Sequence, residues 1–190
     1  MPRRLAVLAA VLLVASVGAG CSDGGAPAAR AGDDIVITNA ELMDEVAEWA
    51  GSPLLLQQAR VTDPEGAAPG SYATALVDAV LTFRIQLDLH REQFDALSLT
   101  VDPEMAGSLE EQLAPVLDEV SPAFGEQLVG DLVRLNAVSQ SMGEGYAAWV
   151  QEATASGVEV SSRYGAWDPA TGSVVAPDGP RAAASPILEL

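Results

Sequence analysis

Apolar residues recur along the chain with two periods, and each change of period marks an element. Ile35-Val36-Ile37 is a short β-branched run that predicts a strand. Thr38-Asn39-Ala40-Glu41 follows with capping-box spacing, so a helix starts at Thr38, with Leu42, Val46 and Trp49 on one face and Gly51-Ser52-Pro53 as its stop. Residues 54–72 hold no clear period: Leu54 to Gln58 reads as a helical turn or an extended insertion, and Thr62 to Ser71 as a loop. The strongest signal spans 73–97. Leu76, Val80, Phe83, Leu87, His90, Phe94 and Leu97 alternate steps of four and three, one stripe of a long helix.

Leu99-Thr100-Val101 reads as an extended link. Asp102-Pro103-Glu104 then supplies an N-cap, a proline at the first helical position and an acid in the first turn. Leu109, Leu113, Val116 and Val120 give that helix its apolar face, and Pro115 is expected to kink or split it. Ser121-Pro122 opens another turn. A long helix is expected from about Glu126 to Ala155, with Gly143 and Gly145 as weak points and Gly157 as its C-cap. Val158-Glu159-Val160-Ser161 alternates like a strand, Arg163 to Val175 is an aromatic, turn-rich tail, and from Pro177 the composition is that of a disordered segment. The fold class is therefore mainly α. The first and last strands, at 35–37 and 158–161, are expected to pair with each other in a two-stranded ladder.

The N-terminus has a different logic. Arg3 and Arg4, the uncharged apolar run Leu5 to Val17, and Gly18-Ala19-Gly20 before Cys21 have the order of a secretory signal peptide. The run is shorter than the roughly 20 residues that span a bilayer. Cys21 is the only cysteine, so it has no internal disulfide partner. Its place directly after small residues fits a lipobox, in which the thiol is acylated and the chain cut before it. The branched apolar residue usual three positions earlier is here Gly18, with Val17 one step further back. A secreted protein with an unpaired thiol is the alternative. The division is thus a signal peptide over 1–20, a flexible tether over 21–33, a helical domain over 34–175 and a disordered tail over 176–190. The expected location is the outer face of the cytoplasmic membrane, anchored through lipid on Cys21.

Charge narrows the partners. The formal net charge is -18, and removal of Arg3 and Arg4 makes it -20. Such a surface repels nucleic acid and anionic lipid, so no nucleic-acid partner is expected. Every basic residue is arginine, which with the abundant Ala, Gly, Val and Pro suggests a GC-rich, actinobacterial-type coding sequence.

Candidate chemistry is sparse. His90 sits on the apolar stripe and reads as a buried structural histidine rather than a base or pH sensor. One histidine and one lipidated cysteine cannot build a zinc site, and Asp33-Asp34 and Glu110-Glu111 read as solvated charge rather than calcium ligands. No metal, cofactor or catalytic constellation is expected. Trp49 and Trp149 fall on core faces. Phe83, Phe94, Tyr164 and Trp167 remain as candidate contacts for a bound polypeptide, with Tyr164 and Trp167 alternatively stapling the tail to the helices.

The order of elements resembles the N-terminal domain of SurA-type and PrsA-type extracytoplasmic chaperones, shared with trigger factor. The resemblance rests on Ile35 to Leu42, on the long helix of 73–97, on Leu99 to Glu104 and on the closing phrase Val158 to Asp168. That phrase is similar to the end of actinobacterial lipoproteins of this class, where a strand leads into an Arg-Tyr/Phe-Gly-x-Trp-Asp turn. It covers roughly residues 35–175. It implies a chaperone that holds unfolded, newly exported polypeptides in an apolar cleft between helices. Those relatives also carry a parvulin isomerase domain of on the order of a hundred residues. Fewer than thirty residues follow the last expected strand here, and His90 is the only histidine, so isomerase catalysis is not expected. The rival expectation is a non-enzymatic adaptor lipoprotein bound to one cell-envelope partner.

Overall fold

A computed structural model describes residues 25–31, 35–155 and 157–176. The signal peptide, Cys21 and residues 177–190 of the expected tail lie outside the described residues.

The chain begins with β1 (Pro27–Ala31) and β2 (Ile35–Thr38). Thr38 then caps α1 (Asn39–Gly51). The Glu41 N–H donates to Thr38 Oγ1 at 3.3 Å, and the Thr38 N–H donates back to the Glu41 carboxylate at 2.9 Å. This is the reciprocal box expected from the spacing, and those hydrogen bonds hold the Glu41 carboxyl below its usual value. Leu42, Val46 and Trp49 are buried along α1, as their spacing requires.

Ser52 ends α1 and starts α2 (Pro53–Gln58), so the ambiguous Leu54–Gln58 stretch is helical. The Ser52 hydroxyl accepts from the Leu55 N–H at 3.2 Å and donates to Glu119 at 2.6 Å. The loop to Tyr72 folds back on itself through an isolated bridge between Glu65 and Tyr72.

Helix α3 (Thr74–Ala96) runs through the core. Leu76, Val80, Leu87, His90 and Phe94 of the predicted stripe are buried, but so are Val77, Leu81, Ile85 and Asp88 beside it. The helix is covered on more than one face, by α1, by α5 (Pro122–Met142) and by the C-terminal strand β5 (Ser173–Val175). Leu97 is the C-cap rather than a helical position and is 39% exposed.

Helix α4 (Pro103–Leu117) has the predicted start, with the Glu104 N–H donating to Asp102 at 2.9 Å. Pro115 does not split it: the proline falls in the last turn, so the bond its missing N–H forgoes and any bend it imposes lie at the helix end. Two expectations for the next segment are corrected. Ser121-Pro122 is the start of α5 itself, and the single helix to Ala155 is two, α5 and α6 (Tyr146–Ala155), joined by a 3-10 turn at Gly143–Gly145. Gly143 takes φ +52°, a left-handed conformation that ends the α-helical ladder.

The expected ladder is also corrected. Both strands exist, as β2 and as β3 (Val158–Val160), but they do not pair with each other. The sheet order is β2-β1-β3, all antiparallel, with Pro27–Ala31 in the middle. Their small residues without an apolar pattern read as part of the tether over 21–33, and the structure corrects this. Ala28, Ala29 and Ala31 are nonetheless almost fully buried. A register irregularity between Pro27 and Ala29 allows the consecutive Ala28 and Ala29 both to face protein. Small side chains suit a central strand that lies close beneath helices.

Nor is β3 the last strand. The turn-rich tail forms a hairpin of β4 (Ala166–Asp168) and β5. Gly165 enters it at φ +116°, where a Cβ would strike the Val175 carbonyl. The hairpin is tied to α3 by Val174 N–H donating to Thr82 Oγ1 at 2.9 Å and by Gln86 Nε2 donating to the Gly172 carbonyl at 3.0 Å.

A candidate binding groove

The same packing leaves one side of α1 and the start of α3 uncovered. A groove of about 660 Å³ opens there, between α1, the loop before α3, the first turns of α3 and the Arg163-Tyr164 turn. Its volume is in the range of ligand sites. Met43, Tyr72, Val77 and Tyr164 give it apolar and aromatic walls, while Asp44, Asp78 and Arg163 supply charge.

Asp78 has the most unusual environment of these. It sits in the second turn of α3, and burial alone pushes its carboxyl up to about 6. Its Oδ1 is shut off from solvent and has no hydrogen-bond partner among the described residues. The guanidinium of Arg163, also in the groove lining, lies over the Tyr164 ring, 5.9 Å from the centroid. Nothing in the sequence singled Asp78 out, because an acid on a helix ordinarily marks the solvated face.

The four candidate contact aromatics are not gathered into one surface. Phe83 is half-buried, edge-on to Trp49 with centroids 5.4 Å apart. Phe94 is buried at 6% exposure. The Trp167 ring N–H donates to the Thr154 carbonyl of α6 at 2.8 Å. The Tyr164 hydroxyl donates to Asn39 Oδ1 at 2.9 Å, and the ring lines the groove. Tyr164 and Trp167 thus staple the tail to the helices. Among the four, Tyr164 alone borders the groove.

His90 is buried, with Nδ1 2.6 Å from the Gln86 carbonyl and Nε2 2.8 Å from the Tyr146 hydroxyl. A carbonyl can only accept, so Nδ1 carries the proton and Nε2 accepts from Tyr146. Burial pushes its pKa below the usual histidine value, only partly opposed by the Gln86 hydrogen bond. The result is a neutral, structural imidazole packed edge-on to Trp149 at 4.9 Å.

Sequence reasoning also missed a chain of ion pairs clamping α1, α3 and α5. Arg84 reaches Glu45 and Asp88, both at 3.0 Å. Arg91 bridges Asp88 and Asp131, both at 2.9 Å, and Arg134 joins Asp131 at 3.1 Å. Burial raises the Glu45 and Asp88 carboxyls, with Arg84 pulling each back. Arg84 itself is raised, burial being outweighed by Asp88 and Glu45. Each acid is engaged by an arginine, which suits a structural clamp rather than proton transfer. The available signals were the i,i+4 pair Arg84/Asp88 and the i,i+3 pairs Asp88/Arg91 and Asp131/Arg134.

No helix among the described residues is long and apolar enough to cross a membrane. No family model, curated protein or solved structure matches the chain.

Proposed function

We propose that this is a lipid-anchored extracytoplasmic chaperone-like protein of the SurA and PrsA N-terminal type, which holds segments of unfolded exported polypeptides without isomerase catalysis. The observation that carries this reading is the groove walled by Met43, Tyr72, Val77 and Tyr164. Apolar and aromatic walls offer contact area to an extended chain without requiring a particular sequence. The signal-peptide pattern ending at Cys21 and the phrases Ile35–Leu42 and Val158–Asp168 add support. The test dilutes a denatured exported protein into the full chain and records light scattering. Scattering falls in proportion to added protein on this reading; unchanged scattering refutes it.

A second reading has its own observation. Phe83, Phe94 and Trp167 are engaged within the fold, so the groove presents a small contact area suited to one short segment. An adaptor for a single cell-envelope protein fits that limit. Affinity capture from detergent-solubilised membranes distinguishes the two: an adaptor retains one partner in stoichiometric amount, a chaperone a mixture.

A further inference from the structure

We infer that the groove is a receptor for a basic side chain, with Asp78 as the counter-charge for a lysine or arginine on an extended segment of an exported polypeptide. This rests on the reading that the protein binds polypeptide segments, and it names which segments.

Three observations converge on it. First, Asp78 lines the groove with one oxygen sealed and unpartnered. A carboxylate partly taken out of water is costly, and a guanidinium or ammonium arriving from the groove side compensates the charge through the other oxygen while Oδ1 stays sealed. Second, the walls include the rings of Tyr72 and Tyr164, whose faces favour a cation and whose area suits the aliphatic stem of Arg or Lys. Third, the remaining charges favour a basic guest. Asp44 adds negative potential, and the guanidinium of Arg163, the one cation among the lining residues, lies over the Tyr164 ring. The chain as a whole carries -18, which draws basic segments toward it.

Docking a cation requires Asp78 ionised, so binding is linked to pH. The titratable and charged groups lining the groove beside it are Asp44, Tyr72, Arg163 and Tyr164, and Asp78 is the one that titrates near 6. As pH falls from 7.5 to 5, the ionised fraction of Asp78 drops to about a tenth, and affinity for a basic segment falls about tenfold.

The experiment uses the full chain in a mild non-ionic detergent and fluorescence anisotropy with labelled decapeptides of Ala, Leu and Tyr. The peptides carry a central Arg, Gln or Glu. The Arg peptide is expected to bind about tenfold more tightly than the Gln peptide at pH 7.5, a difference of about 1.4 kcal/mol. The Glu peptide binds more weakly still. The preference for Arg disappears at pH 5 and in Asp78→Asn, weakens in Asp44→Asn, and persists in Glu111→Gln, an exposed acid of α4 outside the groove. A second measurement needs no variant: the Asp78 carboxyl, followed by NMR, titrates lower with Arg peptide present and unchanged with Gln peptide. Equal binding of the Arg and Gln peptides, or an Arg preference that survives Asp78→Asn, overturns the proposal. If that occurs while scattering by a denatured client still falls, the holding function stands and the groove assignment alone fails. If scattering is also unchanged, both fail.

Discussion

Removing the negative charge of Asp131 tests whether the buried ion chain holds the helices together. The side chain is 2% exposed; both its oxygens accept from Arg91 at 2.9 Å, and one also accepts from Arg134 at 3.1 Å. The chain alternates three acids with three arginines, Glu45-Arg84-Asp88-Arg91-Asp131-Arg134, and is neutral as a whole. Asp131→Asn keeps the shape but leaves one uncompensated positive charge and turns an amide donor toward a guanidinium. Breaking a buried pair from one side typically costs about 3–5 kcal/mol. Here Arg91 and Arg134 keep 36% and 34% of their side-chain exposure and can swing toward water. That relief brings the expected loss to about 2–3 kcal/mol. With a urea slope of roughly 2 kcal/mol per molar, the unfolding midpoint falls by about 1–1.5 M, read by circular dichroism and tryptophan fluorescence together. Arg91→Met in the Asp131→Asn background should recover part of the loss, with a coupling of about 1 kcal/mol or more. A midpoint shift below about 0.3 M would refute the clamp and make these pairs incidental surface charge.

Four further outcomes are expected. Because Asp78 titrates near 6 in the folded chain rather than at its ordinary 3.8, its charged form disfavours the native state. Wild-type stability therefore rises as pH falls from above 6 toward 3.8, and Asp78→Asn is the more stable form at pH 7.5 by about 1 kcal/mol, after allowance for its partly exposed side chain. The two converge at pH 4 in urea titrations, and parallel pH profiles would contradict this. Gly165→Ala, forced into φ +116° against the Val175 carbonyl, should lower the melting temperature by about 5–10 °C. Gly107→Ala, whose added methyl meets nothing within 4 Å on α4, should hold or slightly raise it. Tyr146→Phe removes the donor to His90 Nε2 and should cost about 1–2 kcal/mol, while imidazole NMR still shows the proton on Nδ1 at pH 6; a protonated ring there would refute the neutral assignment.

What was legible in the sequence was local. Thr38/Glu41 and Asp102-Pro103 mark helix starts because capping is decided within four residues, and Leu42, Val46 and Trp49 are buried as their spacing implies. What was not legible depended on distant partners. Pro27–Ala31 shows no strand character by itself and becomes one because β2 and β3 flank it. Val77, Leu81 and Ile85 lie off the predicted stripe and are buried because α3 has neighbours on more than one side. Gly143 was visible as a weak point, but whether it ended the helix turned on its φ. At the groove, Tyr164 was visible as an aromatic in a tail. Asp78 was not, since its carboxyl is unusual only for the walls that the loop around Tyr72 and the Arg163-Tyr164 turn bring beside it.

The central position of β1 changes how load enters the molecule. Pro27 follows Cys21 by six residues, a fully extended reach of about 20 Å. With lipid on that cysteine, the anchor and the middle strand are mechanically in series. If the protein captures segments at the groove as proposed, drag on them would pass to the anchor through the ladders that β1 makes with β2 and β3 and through the Asn39 N–H to Ala26 carbonyl bond at 2.9 Å. A strand gripped on both edges resists such a pull by sharing it among many hydrogen bonds.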